Sequence, residues 1–292
     1  MGAAVSHCCV LPVSLDATAS YGRGTASAPA AILEASQQVE LWDDEVQFDL
    51  GTAAYHTAAI VSPHNAEDTG SFLERLLQVA SALQHDHGTV IGLGGEHSVT
   101  APLAYAAAGG SDLSDVTVIQ FDAHADLRDT YDGTPHSHAC VMHRLVDAGA
   151  AVVGIGIRAM SRQEADFAAR HERIHLFRAQ DLSVDGMTTN RLNHLLDSLT
   201  GQVYVTVDVD GLDCALCPAT GTPEPGGLPW WTFLAFLKRI LVPRYGRQLI
   251  GCDVVETVPM PGSQVNEFTA ARIVGKMIAY MLAGDATTGR PD

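Results

Sequence analysis

Three short stretches of this 292-residue sequence crowd ionisable side chains that could hold metal ions or move protons. The first, Gly94-Gly95-Glu96-His97-Ser98, follows the apolar run Thr89–Leu93. Its two glycines allow a tight turn with close backbone approach, and Ser98 is placed to cap a following helix. Glu96 and His97 are harder to explain as plain junction residues. The second, Asp122-Ala123-His124-Ala125-Asp126, follows Val116–Phe121. Alternate residues of an extended segment face one way, so three ionisable groups converge with only alanines between them. At the end of a buried strand that grouping is costly unless a cation compensates it. A merely solvated turn would require an edge strand. The third, Asp208-Val209-Asp210, follows Val203–Val207, with Asp213 close behind. The same spacing aims Asp208 and Asp210 together, and neighbouring carboxylates repel until one is protonated or a metal lies between them. The Gly and Glu positions of an EF-hand loop are missing. Two imidazoles and four or more carboxylates exceed what one tetrahedral zinc takes. An oxygen-dominated set with some imidazole suits a pair of manganese-like ions. Two such ions about 3.5–4 Å apart can share a bridging hydroxide and clamp attacking and leaving atoms.

The elements that must position these groups alternate along the chain. Short apolar, β-branched runs predict strands at Cys8–Val13, Thr57–Ser62, Thr89–Leu93, Val116–Phe121, Ala151–Ile157, Ile174–Phe177, Val203–Val207 and Gln248–Val255. Segments of helical period predict helices at Ala28–Ser36, Ser71–His85, Ser98–Ala108, Ser137–Ala148, Arg162–His171, Asn190–Ser198, Trp231–Leu241 and Glu267–Leu282. Such alternation points to an α/β fold with a parallel sheet and helices on both faces. Near-continuous apolar strands fit a sheet covered on both sides. The Pro/Gly-rich stretch Pro218–Pro229 is a loop within the pattern, so residues 1–292 read as one domain. Ligands in such sheets bind outside the carboxyl ends of the strands, where the three clusters sit.

Composition narrows the function classes. With 47% apolar and 17% charged residues the chain is not disordered. Seventeen Lys+Arg against 34 Asp+Glu, a net charge of −17, argue against nucleic-acid binding. No run reaches the ~18–20 apolar residues of a membrane helix, and the N-terminus lacks the basic region of a signal peptide, so a cytoplasmic protein without membrane attachment is expected. Met1-Gly2 with Ser6 matches the bare myristoylation pattern, which is short enough to arise by accident. Cys8, Cys9, Cys140 and Cys252 have apolar neighbours and read as buried thiols. Cys214 and Cys217 form a Cys-x-x-Cys pair without the second pair of a zinc site, and read as structural or incidental thiols.

The three motifs, in this order, resemble the signatures of the ureohydrolase (arginase/agmatinase) family. Gly221-Thr222-Pro223-Glu224-Pro225-Gly226-Gly227 is similar to the loop of the agmatinase branch, as are Ser137-His138-Ala139-Cys140-Val141-Met142 and Ser20-Tyr21-Gly22-Arg23-Gly24-Thr25 with Pro29 and Ile32. Asp213-Cys214, Cys217-Pro218 and Ala219 depart from the branch's usual Asp-Pro, Ala-Pro and glycine beside the substrate loop. The resemblance implies a three-layer α/β/α sandwich with a central parallel sheet and two Mn(2+) ions per subunit. It implies that His97, Asp122, Asp126 and Asp208 hold one ion, and that Asp122, His124, Asp208 and Asp210 hold the other. Asp126 would pass a proton to the leaving amine, His138 would shuttle protons or contact substrate, and Glu256 would bind the guanidinium. The implied reaction is hydrolysis of agmatine to putrescine and urea by a metal-bridging hydroxide. Guanidinobutyrate, arginine, a one-zinc deacetylase-like activity and a non-catalytic role are the alternatives. Its partners would be a small cationic guanidino substrate and further copies of itself, as trimer or hexamer.

Overall fold

A computed structural model describes residues 8–287, with side chains through residue 283. Met1, Gly2 and Ser6 of the myristoylation pattern lie outside the described residues. The strands are β1 (Cys8–Pro12), β2 (Trp42–Asp43), β3 (Phe48–Asp49), β4 (Tyr55–Thr57), β5 (Thr89–Leu93), β6 (Val116–Phe121), β7 (Ala151–Ile157), β8 (Ile174–Arg178), β9 (Gly201–Asp208) and β10 (Arg247–Val255). The helices are α1 (Ala28–Ser36), α2 (Thr69–His87), α3 (Thr100–Ala108), α4 (Val141–Asp147), α5 (Arg162–Arg170), α6 (Ala179–Val184), α7 (Gly186–Ser198), α8 (Trp230–Leu241) and α9 (Val265–Thr287).

Eight strands form one sheet in the order β4-β1-β5-β10-β9-β6-β7-β8, and its neighbours run parallel. Parallel neighbours need crossover connections, which the helices supply on both faces. Residues from α1, α7, α8 and α9 pack on one face with Ile119, Val205 and Val254. Residues from α2, α3 and α4 pack on the other with Val118, Tyr204 and Ile250. The chain is therefore a three-layer α/β/α sandwich. Strand side chains alternate between the faces, so Gln120, Thr206 and Asp253 fall on the α3 side, buried beneath the carboxyl ends of their strands. The short β2–β3 hairpin is fastened to α9 by Lys276, whose Nζ lies 2.9 Å from Asp43 Oδ2 and 3.1 Å from Glu45 Oε2. No helix among the described residues is long and apolar enough to cross a membrane.

The central strands begin and end close to the sequence reading, and the departures have local causes. The run Thr57–Ser62 is largely loop. The edge strand is instead Tyr55–Thr57, paired with Cys8–Val10, and beyond it only Val61 bridges to Val13. An edge strand has partners on one side only, so its extent follows its neighbour's register more than its own apolar run. Helix α7 starts four residues before Asn190 because Asp185 accepts bonds from the Met187 and Thr188 N–H groups. The short α6 and the β2–β3 hairpin were not anticipated. The helices expected from Ser98 and Ser137 each open as a 3-10 turn, His97–Val99 and His138–Cys140. Cys8, Cys9, Cys140, Cys217 and Cys252 are buried, and all six cysteines are free thiols.

Candidate metal centre

Strands β5, β10, β9 and β6 are consecutive in the sheet, and the segment leaving each carries part of one site. After β5, Gly94 and Gly95 take φ of 76° and 80°, a region L side chains avoid. A Cβ at Gly95 would lie 2.8 Å from the Val13 carbonyl oxygen. The turn is stitched to the end of β10: Gly94 N–H donates to Val254 O at 2.7 Å, and Glu256 N–H to Gly95 O at 2.9 Å. His97 follows, fully buried. Ser98 does not cap α3, as its sequence position suggested; its hydroxyl donates to Glu96 Oε1 at 2.6 Å.

The His97 tautomer follows from its partners. Thr206 has one hydroxyl proton, and it donates to Asp253 Oδ1 at 2.6 Å. At 2.9 Å from His97 Nε2, the same hydroxyl oxygen must then accept, so Nε2 carries a proton, and in the neutral imidazole Nδ1 keeps its lone pair for a cation. That Nδ1 is buried without a hydrogen-bond partner, although it lies 3.2 Å from Asp122 Oδ2, 3.0 Å from Asp126 Oδ2 and 3.4 Å from Asp208 Oδ2. A lone pair and three carboxylates facing one another across a few ångströms are what a cation requires.

The other two motifs converge, but not by the simple extended alternation expected of them. Asp126 reaches the site through a left-handed backbone, φ 51°. Met142 N–H and His143 N–H fix it there by donating to its carbonyl at 3.0 and 3.2 Å. Asp208 ends β9 and caps the 3-10 turn Val209–Gly211, its Oδ1 accepting from Asp210 N–H at 2.9 Å. Asp210 Oδ1 accepts from Ala123 N–H at 2.9 Å, and its Oδ2 lies 2.9 Å from His124 Nδ1. Gly211 has no room for a side chain, since a Cβ would lie 2.6 Å from Asp122 N. Arg158 ties this turn to the Gly-Thr loop, donating to the carbonyls of Asp210 at 2.6 Å, Glu224 at 2.7 Å and Pro225 at 3.1 Å.

Two clusters result. His97, Asp122 and Asp208 form one, and Asp122, His124 and Asp210 the other, with the ligand atoms of each within 4.8 Å of one another. Asp122 is common to both. Asp126 joins the first through its approach to His97, and Asp208 groups with that cluster. Imidazole with several carboxylates suits a borderline-hard divalent ion, and the buried, unpartnered His97 Nδ1 among them shows that these residues fit one.

Without a cation the histidines bear the burden of the negative charge. Burial opposes the His97 imidazolium, but Asp122, Asp126 and Asp208 outweigh it and raise its pKa well above the usual value. Burial likewise opposes the His124 cation, and Asp122 and Asp210 push its pKa up to about 12. Burial and then Asp122 raise Asp126 to about 6, and burial with Asp210 and Asp122 holds Asp208 well above the carboxylate range.

A cavity of about 200 Å³ opens over the clusters, lined by Ser20, His124, Asp126, Arg128, Tyr131, His138, Ala139, Asp208, Asp210, Thr222 and Glu256. Glu256 is 3% exposed and held at φ 63°. Its Oε1 accepts from His97 N–H at 2.7 Å and lies 3.3 Å from His138 Nδ1. Burial disfavours the His138 cation, yet Glu256 prevails and raises the pKa to about 9. His138 Nε2 is buried and unpartnered.

The structure thus brings His97, Asp122, His124, Asp126, Asp208, Asp210, His138 and Glu256 to one place. Sequence reasoning missed the residues behind them: Gln120, whose Nε2 donates to Asp122 Oδ2 at 2.7 Å, Thr206, Asp253 and Arg158. For Gln120, Thr206 and Asp253 the signal was a polar residue inside an apolar strand run, which must find a partner there; Arg158, just past β7, carried no such signal.

The chain matches the Arginase family model over residues 6–280. It is 36% identical to an N(1)-aminopropylagmatine ureohydrolase of Synechocystis sp., over 93% of this chain and 88% of that protein. It is 32% identical to an agmatinase of Pyrococcus horikoshii, over 91% of this chain and 88% of that one. The crystal structure of the agmatine ureohydrolase of Thermoplasma volcanium superposes with a TM-score of 0.81 at 29% identity, covering 96% of this chain and 91% of that one. With the strand-end motifs assembled into one site, the chain belongs to the arginase family, in its agmatinase-like branch of ureohydrolases, which are hydrolases of amidino C–N bonds.

Proposed function

We propose that the protein is a two-manganese amidinohydrolase that converts agmatine and water to putrescine and urea, or acts alike on N1-aminopropylagmatine, which presents the same guanidinobutyl end. The observation that carries this reading is Asp122 shared between two ligand clusters on the floor of a cavity whose wall holds Glu256 and His138. Bound there, the metal pair would lower the pKa of water so that hydroxide is available near neutral pH.

The chain's own residues do the rest. Glu256 receives the cationic guanidinium through charge-assisted hydrogen bonds, which orient its carbon toward the clusters. The backbone at φ 63° and the bond from His97 N–H hold that carboxylate in place. Asp126 lines the cavity beside the clusters and is the group in position to hand a proton to the departing amine. His138 offers its unpartnered Nε2 to substrate or to a relayed proton.

A second reading has one observation in its favour. Arg128 also lines the cavity, its guanidinium 4.8 Å over the Tyr131 ring and 3.8 Å from Glu164 Oε2, and a cation at the mouth suits a guanidino acid such as guanidinobutyrate. A panel of agmatine, N1-aminopropylagmatine, guanidinobutyrate and arginine with added Mn(II) and urea detection decides. Fastest turnover of agmatine or its aminopropyl derivative is expected. Preference for guanidinobutyrate selects the second reading, and no urea above a metal-free control refutes both.

A further inference from the structure

Glu96 belongs to the first motif yet neither lines the cavity nor joins a ligand cluster. It is a fully buried carboxylate, and its partners explain why it is there. Oε2 accepts from Ala17 N–H at 2.7 Å and Thr18 N–H at 2.6 Å, while Oε1 accepts from the hydroxyls of Thr18 at 2.7 Å and Ser98 at 2.6 Å. The Thr18 hydroxyl, its proton given to Glu96, accepts in turn from His138 N–H at 3.0 Å. That N–H opens the 3-10 turn His138–Cys140, where no intrahelical acceptor exists. One hydroxyl therefore joins three segments: the loop after β1, the turn after β5 and the turn that presents His138. The same loop carries Ser20 to the cavity wall. It is seated against the Gly-Thr loop by Gly22 N–H, which donates to Gly221 O at 2.8 Å.

We propose that Glu96 and Thr18 are positioning residues, a latch that sets His138 and the Ser20 wall relative to Glu256 and so determines how substrate is held, without taking part in metal binding. Charge makes the latch strong: four donors converge on one desolvated carboxylate, and bonds to an ionised acceptor are about twice as strong as neutral ones. The kinetic consequence rests on the guanidino-hydrolase reading above; the latch itself does not.

The test compares Thr18→Val, which deletes the hydroxyl, with Thr18→Ser, which keeps it, in the full-length Mn(II)-loaded protein. Hydrogen–deuterium exchange of peptides covering residues 16–20 and 137–141 reads the latch directly. Faster exchange of both in T18V, restored in T18S, is expected, and unchanged exchange overturns the proposal. With the substrate the panel identifies, T18V should lose roughly 10- to 100-fold in kcat/KM, the scale of a small misplacement, while bound Mn(II) stays at the wild-type level. The loss should shrink when T18V is introduced into His138→Ala, because the hydroxyl acts through His138. A full, additive loss in that background, an equal loss in T18S, or loss of metal in T18V contradicts the proposal. If the wild type releases urea from no guanidino compound, the functional reading fails, and the exchange comparison still decides the latch.

Discussion

Replacing Thr206 with valine deletes one hydroxyl behind His97 and leaves the ligand clusters otherwise intact. The wild-type hydroxyl accepts from His97 Nε2–H at 2.9 Å and donates to Asp253 Oδ1 at 2.6 Å, while Tyr204 OH donates to Asp253 Oδ2 at 2.7 Å. His97, Thr206 and Asp253 are all without solvent exposure, so no water replaces what is lost. In T206V the Nε2–H is an orphaned buried donor, which costs about 1–3 kcal/mol. Removing the partner that orients a metal-binding histidine typically costs roughly 10- to 100-fold in affinity, or about 1.4–2.8 kcal/mol. The two routes give the same magnitude. Calorimetric titration of chelator-treated protein with Mn(II) should therefore show the site containing His97 weakened roughly 10- to 100-fold, the site containing His124 weakened less, and Thr206→Ser restoring the wild-type isotherm. Unchanged affinity, or equal weakening of both sites, refutes the tautomer argument; thermal unfolding of the metal-free variants separates it from general destabilisation.

The other predictions concern charge, catalysis and the loop. Asp126→Asn should bring kcat down by at least roughly 100-fold, the usual scale of a lost proton-transfer group, and unchanged turnover in a urea assay removes Asp126 from the mechanism. His138 has its pKa raised from the ordinary 6.5 to about 9. The stabilisation it gives the metal-free protein is thus complete below about pH 6.5 and lost as pH rises through about 9; melting temperatures across that window should fall in the chelated protein, and the fall should be smaller in Glu256→Gln, where the raised His97 and His124 still contribute. Arg158→Met should reduce the unfolding free energy by about 1–3 kcal/mol, because the part-buried carbonyls of Asp210 and Glu224 lose a charged donor; denaturant titration measures this.

The architecture was legible because burial on both faces of a parallel sheet writes itself as unbroken apolar runs, as in Val116–Phe121 and Val203–Val207. The ligand side chains were legible because six ionisable groups at strand ends have few neutral explanations. How they converge was not. Asp126 turns inward through a left-handed residue and Asp210 through a 3-10 turn, conformations fixed by Met142, His143 and Ala123 from distant segments. Asp253 was passed over because it sits inside the apolar run Gln248–Val255, although an aspartate there demands buried donors, and Tyr204 and Thr206 supply them. Thr18 carried no signal, since nothing local distinguishes it from any loop threonine; its role exists only once Glu96 and His138 meet around it. The edge strand was misplaced because one-sided pairing leaves the neighbour's register, not the apolar run, to choose Tyr55–Thr57.

The central claim is a pair of ions held over a shared Asp122. Equilibrium dialysis of the chelated protein against Mn(II), with elemental analysis of the retained metal, counts them. Two manganese ions per chain are expected, with near-complete loss of both in Asp122→Asn. One ion per chain, zinc retained in preference to manganese, or two ions bound undiminished in that variant would contradict it.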